Sequence, residues 1–448
     1  MRRLFGTDGV RGHVNQYPIT AEVALRLGRS AAYVLKKEGR RNLILIGKDT
    51  RLSGYMLESA LTAGICSMGM NVVLVGPVPT PGIAFLTRSL RCDAGIVISA
   101  SHNPYDDNGI KFFSHDGFKL PDEVELRIEE TLIQDLHDTV RPTGSDIGRA
   151  RRIEEATGRY IEFIKSTIPK GMDLEGLRVV VDSANGSAYK VTPVALKELG
   201  ASVISINDQP DGTNINRDCG SLHVEHLSRS VIAHGAQIGI AHDGDADRTL
   251  VCDEKGRVID GDQIMGIFAS HMKNQGQLRR DTLVATVMSN VGLERYLERE
   301  GIRLLRTQVG DRYVSEKMLE GGYNLGGEQS GHIIFMDNNT TGDGPVVALK
   351  ILSLMKTAGK PISELVAPVE LFPQVMVNVN IKQKRPLADF PEIQQAIDRA
   401  NERVGSGRIL VRPSGTEPKV RVMIEGDHAG EIQELANEIA AVIKNAMA

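Results

Sequence analysis

The sequence predicts an α/β protein: three related mixed α/β segments built on strand–helix–strand units, then a C-terminal α+β segment with an antiparallel sheet. Three observations predict it. An apolar strand entering a polar, glycine-containing turn, then a helix, then a second apolar strand, recurs three times at domain-like spacing. Such runs imply parallel strands joined by crossovers. After Pro368 the pattern changes: Val375, Val377, Val379 and Ile381 alternate with other residues, the mark of a half-buried strand. A chain of 448 residues has room for about three or four domains. The expected divisions are 1–155, 156–255, 256–368 and 369–448.

The first segment opens on Phe5-Gly6-Thr7-Asp8-Gly9-Val10-Arg11-Gly12, a glycine-rich turn presenting a cation. A helix is expected over 21–37. The first repeat follows: strand Leu43–Ile46, polar turn Gly47–Gly54, helix to about Met68, strand Val72–Val75. The second has strand Leu177–Val181, turn Asp182–Gly186, helix to Leu199 and strand Val203–Ile206. The third has strand Leu283–Val287, turn Ser289–Gly292, helix to about Glu300 and strand Ile302–Leu305. In the last segment a helix runs from Pro391 to about Val404, and two short strands flank Arg412–Pro418. A final amphipathic helix aligns Ile432, Leu435, Ile439, Val442 and Ile443 on one face.

Charged residues make up 25% and hydrophobic residues 41%, ordinary values for a soluble globular chain. A net charge of −4 gives no electrostatic case for nucleic acid. Cys66, Cys92, Cys219 and Cys252 have no C-x-x-C spacing, which argues against a zinc knuckle or disulfide framework and suits a reducing cytoplasm. Met1-Arg2-Arg3 leads into Gly6-Thr7-Asp8-Gly9 instead of an apolar run, so no signal peptide is expected. No apolar stretch approaches the length of a membrane span, so no membrane partner is expected.

Chemistry concentrates in four stretches. Ile96-Val97-Ile98 reads as a buried strand that stops in Ser99-Ala100-Ser101-His102. Asn103-Pro104 is expected to turn the chain, and Asn108-Gly109 to turn it again. Ser101 and His102 therefore sit at a strand end, where α/β folds bind ligands.

Asp243, Asp245 and Asp247 alternate in a loop between strand-like Gln237–Ala241 and Thr249–Cys252. Three such carboxylates repel one another by a few kcal/mol at low dielectric, so a fold that buries them needs a cation. Hard oxygen ligands point to Mg²⁺, with waters and a phosphate oxygen completing the octahedron. An EF-hand requires glycine at its sixth position; Arg248 stands there, and strands flank the loop. A phosphorylated Ser101 would carry nearly two negative charges and suit such an ion.

Gly326-Gly327-Glu328-Gln329-Ser330-Gly331-His332 combines close backbone approach with a carboxylate and a hydroxyl suited to sugar hydroxyls. His332 is as compatible with a structural role. Arg412-Pro413-Ser414-Gly415-Thr416, with Lys419 and Arg421 beyond, reads as a phosphate cradle. There is no Walker A pattern, which argues against a P-loop NTPase.

Taken in order, these stretches resemble the α-D-phosphohexomutase superfamily over essentially the whole chain. Ser99–Pro104 resembles its phosphoserine loop, Asp243–Arg248 its metal loop, Gly327–His332 its sugar-binding loop and Arg412–Pro418 its phosphate-binding loop. The first loop and Gln329 are similar to the amino-sugar branch; the phosphomannomutase/phosphoglucomutase branch typically has methionine at the latter position. Ser99 stands where threonine is common, and a hydroxyl is kept.

The resemblance implies four domains around a central cleft, the last closing over substrate. It implies a cytoplasmic enzyme, often a homodimer, that interconverts glucosamine 6-phosphate and glucosamine 1-phosphate for UDP-N-acetylglucosamine synthesis. Phospho-Ser101 would donate to the bound sugar phosphate, and a 1,6-bisphosphate, also the priming species, would reorient and return a phosphoryl group. Mg²⁺ would sit on Ser101, Asp243, Asp245 and Asp247. Arg248, Arg11 and Lys111 would neutralise the transferring group, Lys111 and Arg11 also sitting where proton transfer is plausible, and His102 would help position Ser101. Arg248, Glu328, Ser330 and His332 would hold the sugar, and Arg412, Ser414, Gly415, Thr416 and Arg421 the non-reacting phosphate. The rival readings are a phosphomannomutase/phosphoglucomutase, a sugar-phosphate phosphatase and a metal-binding scaffold without turnover.

Overall fold

The computed structural model describes residues 4–6, 8–37, 41–136, 141–382, 385–413 and 418–447. The first sheet has six strands: β1 (Val10–His13), β2 (Leu43–Lys48), β3 (Asn71–Pro77), β4 (Ala94–Ile98), β5 (Asp107–Ser114) and β6 (Ala150–Arg152), in the order β1-β5-β4-β2-β3-β6. The β2–β3, β2–β4 and β3–β6 pairs are parallel; β5 is antiparallel to β4 and β1. Side chains along β2 alternate between two cores. Ile44 and Ile46 pack with Leu27, Leu57, Leu61 and Ile128 of three helices. Leu43 and Leu45 pack with Ile83 and Leu86 of a fourth, Thr80–Ser89. Both faces are covered, as the continuous apolar strand demanded.

The second sheet holds β7 (Arg178–Asp182), β8 (Ser202–Ile206), β9 (Ile238–His242), β10 (Thr249–Asp253) and β11 (Val258–Ile259), ordered β11-β10-β9-β7-β8. β7 is parallel to β8 and β9; β9, β10 and β11 form an antiparallel run. The third holds β12 (Thr282–Thr286), β13 (Arg303–Thr307), β14 (Leu325–Gly327) and β15 (Ile333–Phe335), ordered β13-β12-β14-β15. The fourth is an antiparallel sheet of β16 (Gln374–Asn380), β17 (Arg408–Pro413) and β18 (Lys419–Glu425), with β18 in the middle. Val420, Val422 and Ile424 of β18 face Ile393, Leu435 and Ile439 of the two C-terminal helices, which leaves Arg421 on the other face.

Contacts divide the chain into two units: residues 1–287 with 304–367, and residues 288–303 with 368–448. The helix Val291–Arg299, read from the sequence as the crossover of the third repeat, groups with the C-terminal segment. Val291 N donates to Glu425 Oε2 at 3.1 Å, and Asn290 Nδ2 donates to the Phe372 carbonyl at 3.0 Å.

One local expectation is overturned. Asn108-Gly109 is not a turn; both residues lie inside β5, paired with Gly12 and Arg11 of β1. Glycine serves close approach here: a Cβ on Gly109 would lie 2.6 Å from the Ser99 carbonyl oxygen. Among the described residues no helix is long and apolar enough to cross a membrane.

Candidate active site

Ser101 follows β4 in a turn and is 2% exposed. Its φ of 52° lies in the left-handed region, sparsely used by residues with a Cβ. Ser99 holds it there: Ser99 Oγ accepts from Ser101 N at 2.9 Å and donates to Asp49 Oδ2 at 2.6 Å. Ser101 Oγ donates to Asp243 Oδ2 at 2.6 Å and lies 3.2 Å from His102 Nδ1. Burial, with Arg248 and Arg11 nearby, pushes His102 down to about 4, so its imidazole is neutral at pH 7.

The three aspartates sit in the tight connection between β9 and β10, closed where His242 pairs with Thr249. His242 is buried and pushed down to about 4 by burial. Neutral, it bonds Thr192 Oγ1 at 2.9 Å and the Arg248 carbonyl at 3.2 Å and so braces the loop. Gly244 lets the loop press on the serine: a Cβ there would lie 2.6 Å from the Ser101 carbonyl oxygen. Asp245 Oδ2 accepts from Thr80 Oγ1 at 2.7 Å and from Lys111 Nζ at 2.9 Å.

One carboxylate oxygen from each of Asp243, Asp245 and Asp247 falls within 4.8 Å of the other two, and all three residues are buried. Asp245 Oδ1 and Asp247 Oδ1 are buried without a hydrogen-bond partner. Burial, then the Asp247 and Asp245 charges, drives the Asp243 carboxyl well above the usual carboxylate range. Buried charges of one sign with unsatisfied oxygens fit a hard divalent cation, which would displace that proton.

Around this centre lies a chain of ion pairs. Arg11 on β1 pairs with Asp8. Lys111 on β5 lies 3.2 Å from Asp8 and 2.9 Å from Asp245, and Lys119 lies 2.6 Å from both Asp8 and Asp311. Burial works against the Lys111 ammonium, yet Asp245 and Asp8 hold its affinity for the proton above the ordinary lysine value.

The sugar-loop residues span β14 and β15. Glu328 Oε1 accepts from Gly310 N at 3.1 Å, and Ser330 Oγ is buried without a partner. His332 Nε2 lies 3.0 Å from Gly342 N and Nδ1 3.5 Å from Asp247 Oδ2; burial works against its charge, but Asp247, with Asp311 and Glu328, raises the ring to about 9. His332 is thus built into the wall beside the aspartates. Gln329 Nε2 donates to Asp260 Oδ2 at 3.2 Å.

In the C-terminal unit, Arg412 and Arg421 stand directly opposite each other on β17 and β18. Like charges in that register repel, a pairing suited to an anion. Burial, with Arg421 nearby, lowers the proton affinity of Arg412. Ser414, Gly415 and Thr416 lie outside the described residues.

The structure thus brings Ser101, His102, Arg11, Lys111, Asp243, Asp245, Asp247 and His332 into one linked set of contacts. Sequence reading missed Asp8, Asp49, Arg51, Thr80, Lys119, Asn216 and Asp311 as members or supports of that set. One signal was available: Asp49-Thr50-Arg51 follows β2 as Ser99-Ala100-Ser101 follows β4, at neighbouring parallel strand ends.

Fold and motifs define a phosphohexomutase, and comparison agrees. Models of the phosphoglucomutase/phosphomannomutase family match the chain throughout: α/β/α domain I over residues 2–137, domain II over 158–256, domain III over 260–372 and the C-terminal domain over 376–442. The chain belongs to this family. It is 58% identical over 444 residues to a protein of Citrifermentans bemidjiense named phosphoglucosamine mutase, covering 99% of this chain and 98% of the relative. A Myxococcus xanthus protein of the same name is 56% identical over 447 residues, covering 100% and 98%. Among solved structures, a phosphoglucomutase/phosphomannomutase family protein of Burkholderia thailandensis superposes with a TM-score of 0.80 at 25% identity, covering 98% and 97%. The N-acetylphosphoglucosamine mutase of Aspergillus fumigatus, solved with GlcNAc-6P and magnesium, gives 0.69 at 19%, covering 100% and 96%.

Proposed function

We propose that the protein interconverts glucosamine 6-phosphate and glucosamine 1-phosphate through a phosphoserine at Ser101 and a glucosamine 1,6-bisphosphate. The observation that carries the reading is Ser101 Oγ at 2.6 Å from Asp243, one of three buried aspartates of which the other two each keep an oxygen without a hydrogen-bond partner. The names of relatives at 56–58% identity across the whole chain support the choice of sugar.

Ser101 carries the phosphoryl group and gives it to the free hydroxyl of the bound monophosphate. Asp243, Asp245 and Asp247 would hold Mg²⁺, which when bound would supply positive charge beside the Ser101 oxygen. Arg11, Lys111 and Arg248 oppose the charge on the transferring group, and phosphoryl transfer asks mainly for such positioning and charge. Lys111 and Arg11, both held protonated by Asp8 and Asp245, are placed to donate a proton, and across the step the proton lost by the accepting hydroxyl is balanced by the one the Ser101 oxygen gains as the phosphoryl group leaves it. Neutral His102, beside Ser101 Oγ, orients that oxygen. Glu328 Oε2 and Ser330 Oγ grip ring hydroxyls, and His332 steadies the wall behind them. Arg412, Ser414, Gly415, Thr416 and Arg421 hold the phosphate that is not reacting, in either orientation of the sugar. The division at residues 155, 255 and 368, action in the cytoplasm and a homodimeric assembly belong to the same proposal; four separate sheets support a four-part division, with β11 carrying the second sheet past residue 255.

A substrate panel tests it. With Mg²⁺ and a trace of hexose bisphosphate, kcat/KM is compared for the 1- and 6-phosphates of glucosamine, glucose and mannose, with free phosphate followed alongside. A preference for glucosamine phosphate without phosphate release is expected. A preference for glucose or mannose overturns the sugar, and phosphate release without isomerisation overturns the mutase.

A further inference from the structure

The turn after β2 is the one polar segment of the first repeat that the reaction above does not use. Its arginine is buried more completely than any substrate-facing cation. Arg51 is 0% exposed. Its Nε donates to Asp49 Oδ2 at 2.8 Å. The remaining donors go to backbone carbonyls of the Ser101 loop. Nη2 reaches Ser101 at 3.0 Å and Asn103 at 2.8 Å; Nη1 reaches Asp107 at 3.0 Å and also Pro104. One guanidinium therefore spans four carbonyls of a seven-residue segment, which a planar fork of five donors can do and an ammonium cannot.

A second residue grips the same loop from the other side. Asn216 Nδ2 donates to the Ser101 carbonyl at 2.9 Å and to the Asn103 carbonyl at 3.0 Å. Asn216 hangs from the turn of the second repeat, its N–H donating to the Ala184 carbonyl at 2.9 Å. Both grips converge on Ser101, whose carbonyl takes two donors while its amide is held by Ser99 Oγ. A left-handed residue bearing a Cβ persists only where its surroundings over-determine it. Here both ends of its peptide frame are tied, and the tie sets where Oγ points.

We infer that Arg51 and Asn216 are positioning residues of the reaction: together they lock the Ser101 backbone so that its oxygen stays aimed at the aspartate cluster through both phosphoryl transfers. The inference rests on Ser101 being the phosphoryl carrier. Neither side chain touches the sugar in this scheme, so their loss acts on turnover and leaves substrate affinity alone. A mutase needs this more than a single-step transferase does, because the serine must give a phosphoryl group to one end of the sugar and recover one from the other.

The test is a kinetic series of Asn216→Ala, Asn216→Asp, Arg51→Lys and Ser101→Ala on the full chain with Mg²⁺ and glucosamine phosphate, with folding checked by circular dichroism. Asn216→Ala is expected to lower kcat at least about tenfold with KM within about twofold, since sub-ångström misplacement of a reacting group has that scale of effect. Asn216→Asp is expected to be worse, because an acceptor then faces two carbonyls; a merely space-filling role would leave it close to the wild type. Arg51→Lys is expected to lose kcat similarly. If it does not fold, the two Asn216 variants decide. Wild-type kcat in both folded Asn216 variants, or losses confined to KM, overturns the inference. Turnover in Ser101→Ala overturns instead the nucleophile on which it rests, so the two failures are distinguishable.

Discussion

Tyr160→Phe removes one hydroxyl from a fully buried junction, and its cost is expected to depend on pH. Tyr160, on the helix Ala156–Lys165, donates to Asp343 Oδ1 at 2.7 Å. Asp343 caps the helix Gly344–Ala358, accepting from Val346 N at 3.0 Å, and its Oδ2 accepts from Asn339 Nδ2 at 2.8 Å. The same Asn339 amide donates to the Pro81 carbonyl at 3.0 Å, in the helix Thr80–Ser89. One carboxylate thus ties three helices. Burial raises Asp343 to about 6 against the pull of its Asn339 and Tyr160 hydrogen bonds.

The sign follows from linkage. The folded chain holds this proton more tightly than the unfolded one, so the stabilisation is fully present below the ordinary value of 3.8. It is lost as pH rises through about 6. The whole fall is about 3 kcal/mol. Deleting the hydroxyl removes a bond worth about 1 kcal/mol to a neutral acceptor and about 2 kcal/mol to a charged one. It also lifts Asp343 further, extending the falling limb above pH 6. Urea unfolding at pH 5.0 and pH 7.5, followed by circular dichroism, is expected to show a penalty of about 1 kcal/mol at the lower pH and about 2–3 kcal/mol at the higher. An equal penalty at both, or a larger one at pH 5.0, would refute a charged Asp343 held by this hydroxyl. The ring keeps its neighbours Phe85 and Phe163 in the variant, so packing loss does not obscure the result.

Two predictions concern the site itself. Gly244→Ala places a Cβ 2.6 Å from the Ser101 carbonyl oxygen and 2.8 Å from Asn216 Nδ2, so the nucleophile must move. A loss of about 100-fold in kcat at little change in KM is expected, and an unchanged kcat would rule out the tight fit of the two loops. Asp245→Asn removes the carboxylate shared by Lys111 and Thr80. The Mg²⁺ concentration for half-maximal activity should rise at least about tenfold, the lower end of what even outer partners of a metal site produce. An unchanged Mg²⁺ titration would dissociate Asp245 from the metal.

What could be read from the chain divides according to how far each contact reaches along it. The Ser101 turn, the aspartate loop and the Glu328–His332 loop each carry their chemistry in a few contiguous residues at a strand end, where residue type and order are enough to see them. The four sheets were legible for the same reason, since alternation and apolar runs are local. The dipeptide Asn108-Gly109 has the composition of a turn, but β1 approaches from nearly 100 residues earlier and makes it a strand; the Ser99 carbonyl on one side and Arg11 and Val10 of β1 on the other leave no room for a side chain at Gly109. His332 could not be assigned from sequence because its charge is set chiefly by Asp247 and Asp311, neither of them adjacent in the chain.

The same distance rule explains why the supports of Ser101 were the least visible of all. Arg51 meets the loop 50 residues on, Asn216 reaches back 115, and Thr80 reaches Asp245 across 165. Each acts on a backbone carbonyl or on another side chain, so no motif spacing records it. Yet these contacts decide whether the motif works. The Ser101 oxygen and the Asp243 carboxylate come from different sheets, and their 2.6 Å approach depends on how the intervening turns are held. Arg51 in the first repeat's turn and Asn216 on the second's meet on one carbonyl, the point where the two sheets' loops are made into one site.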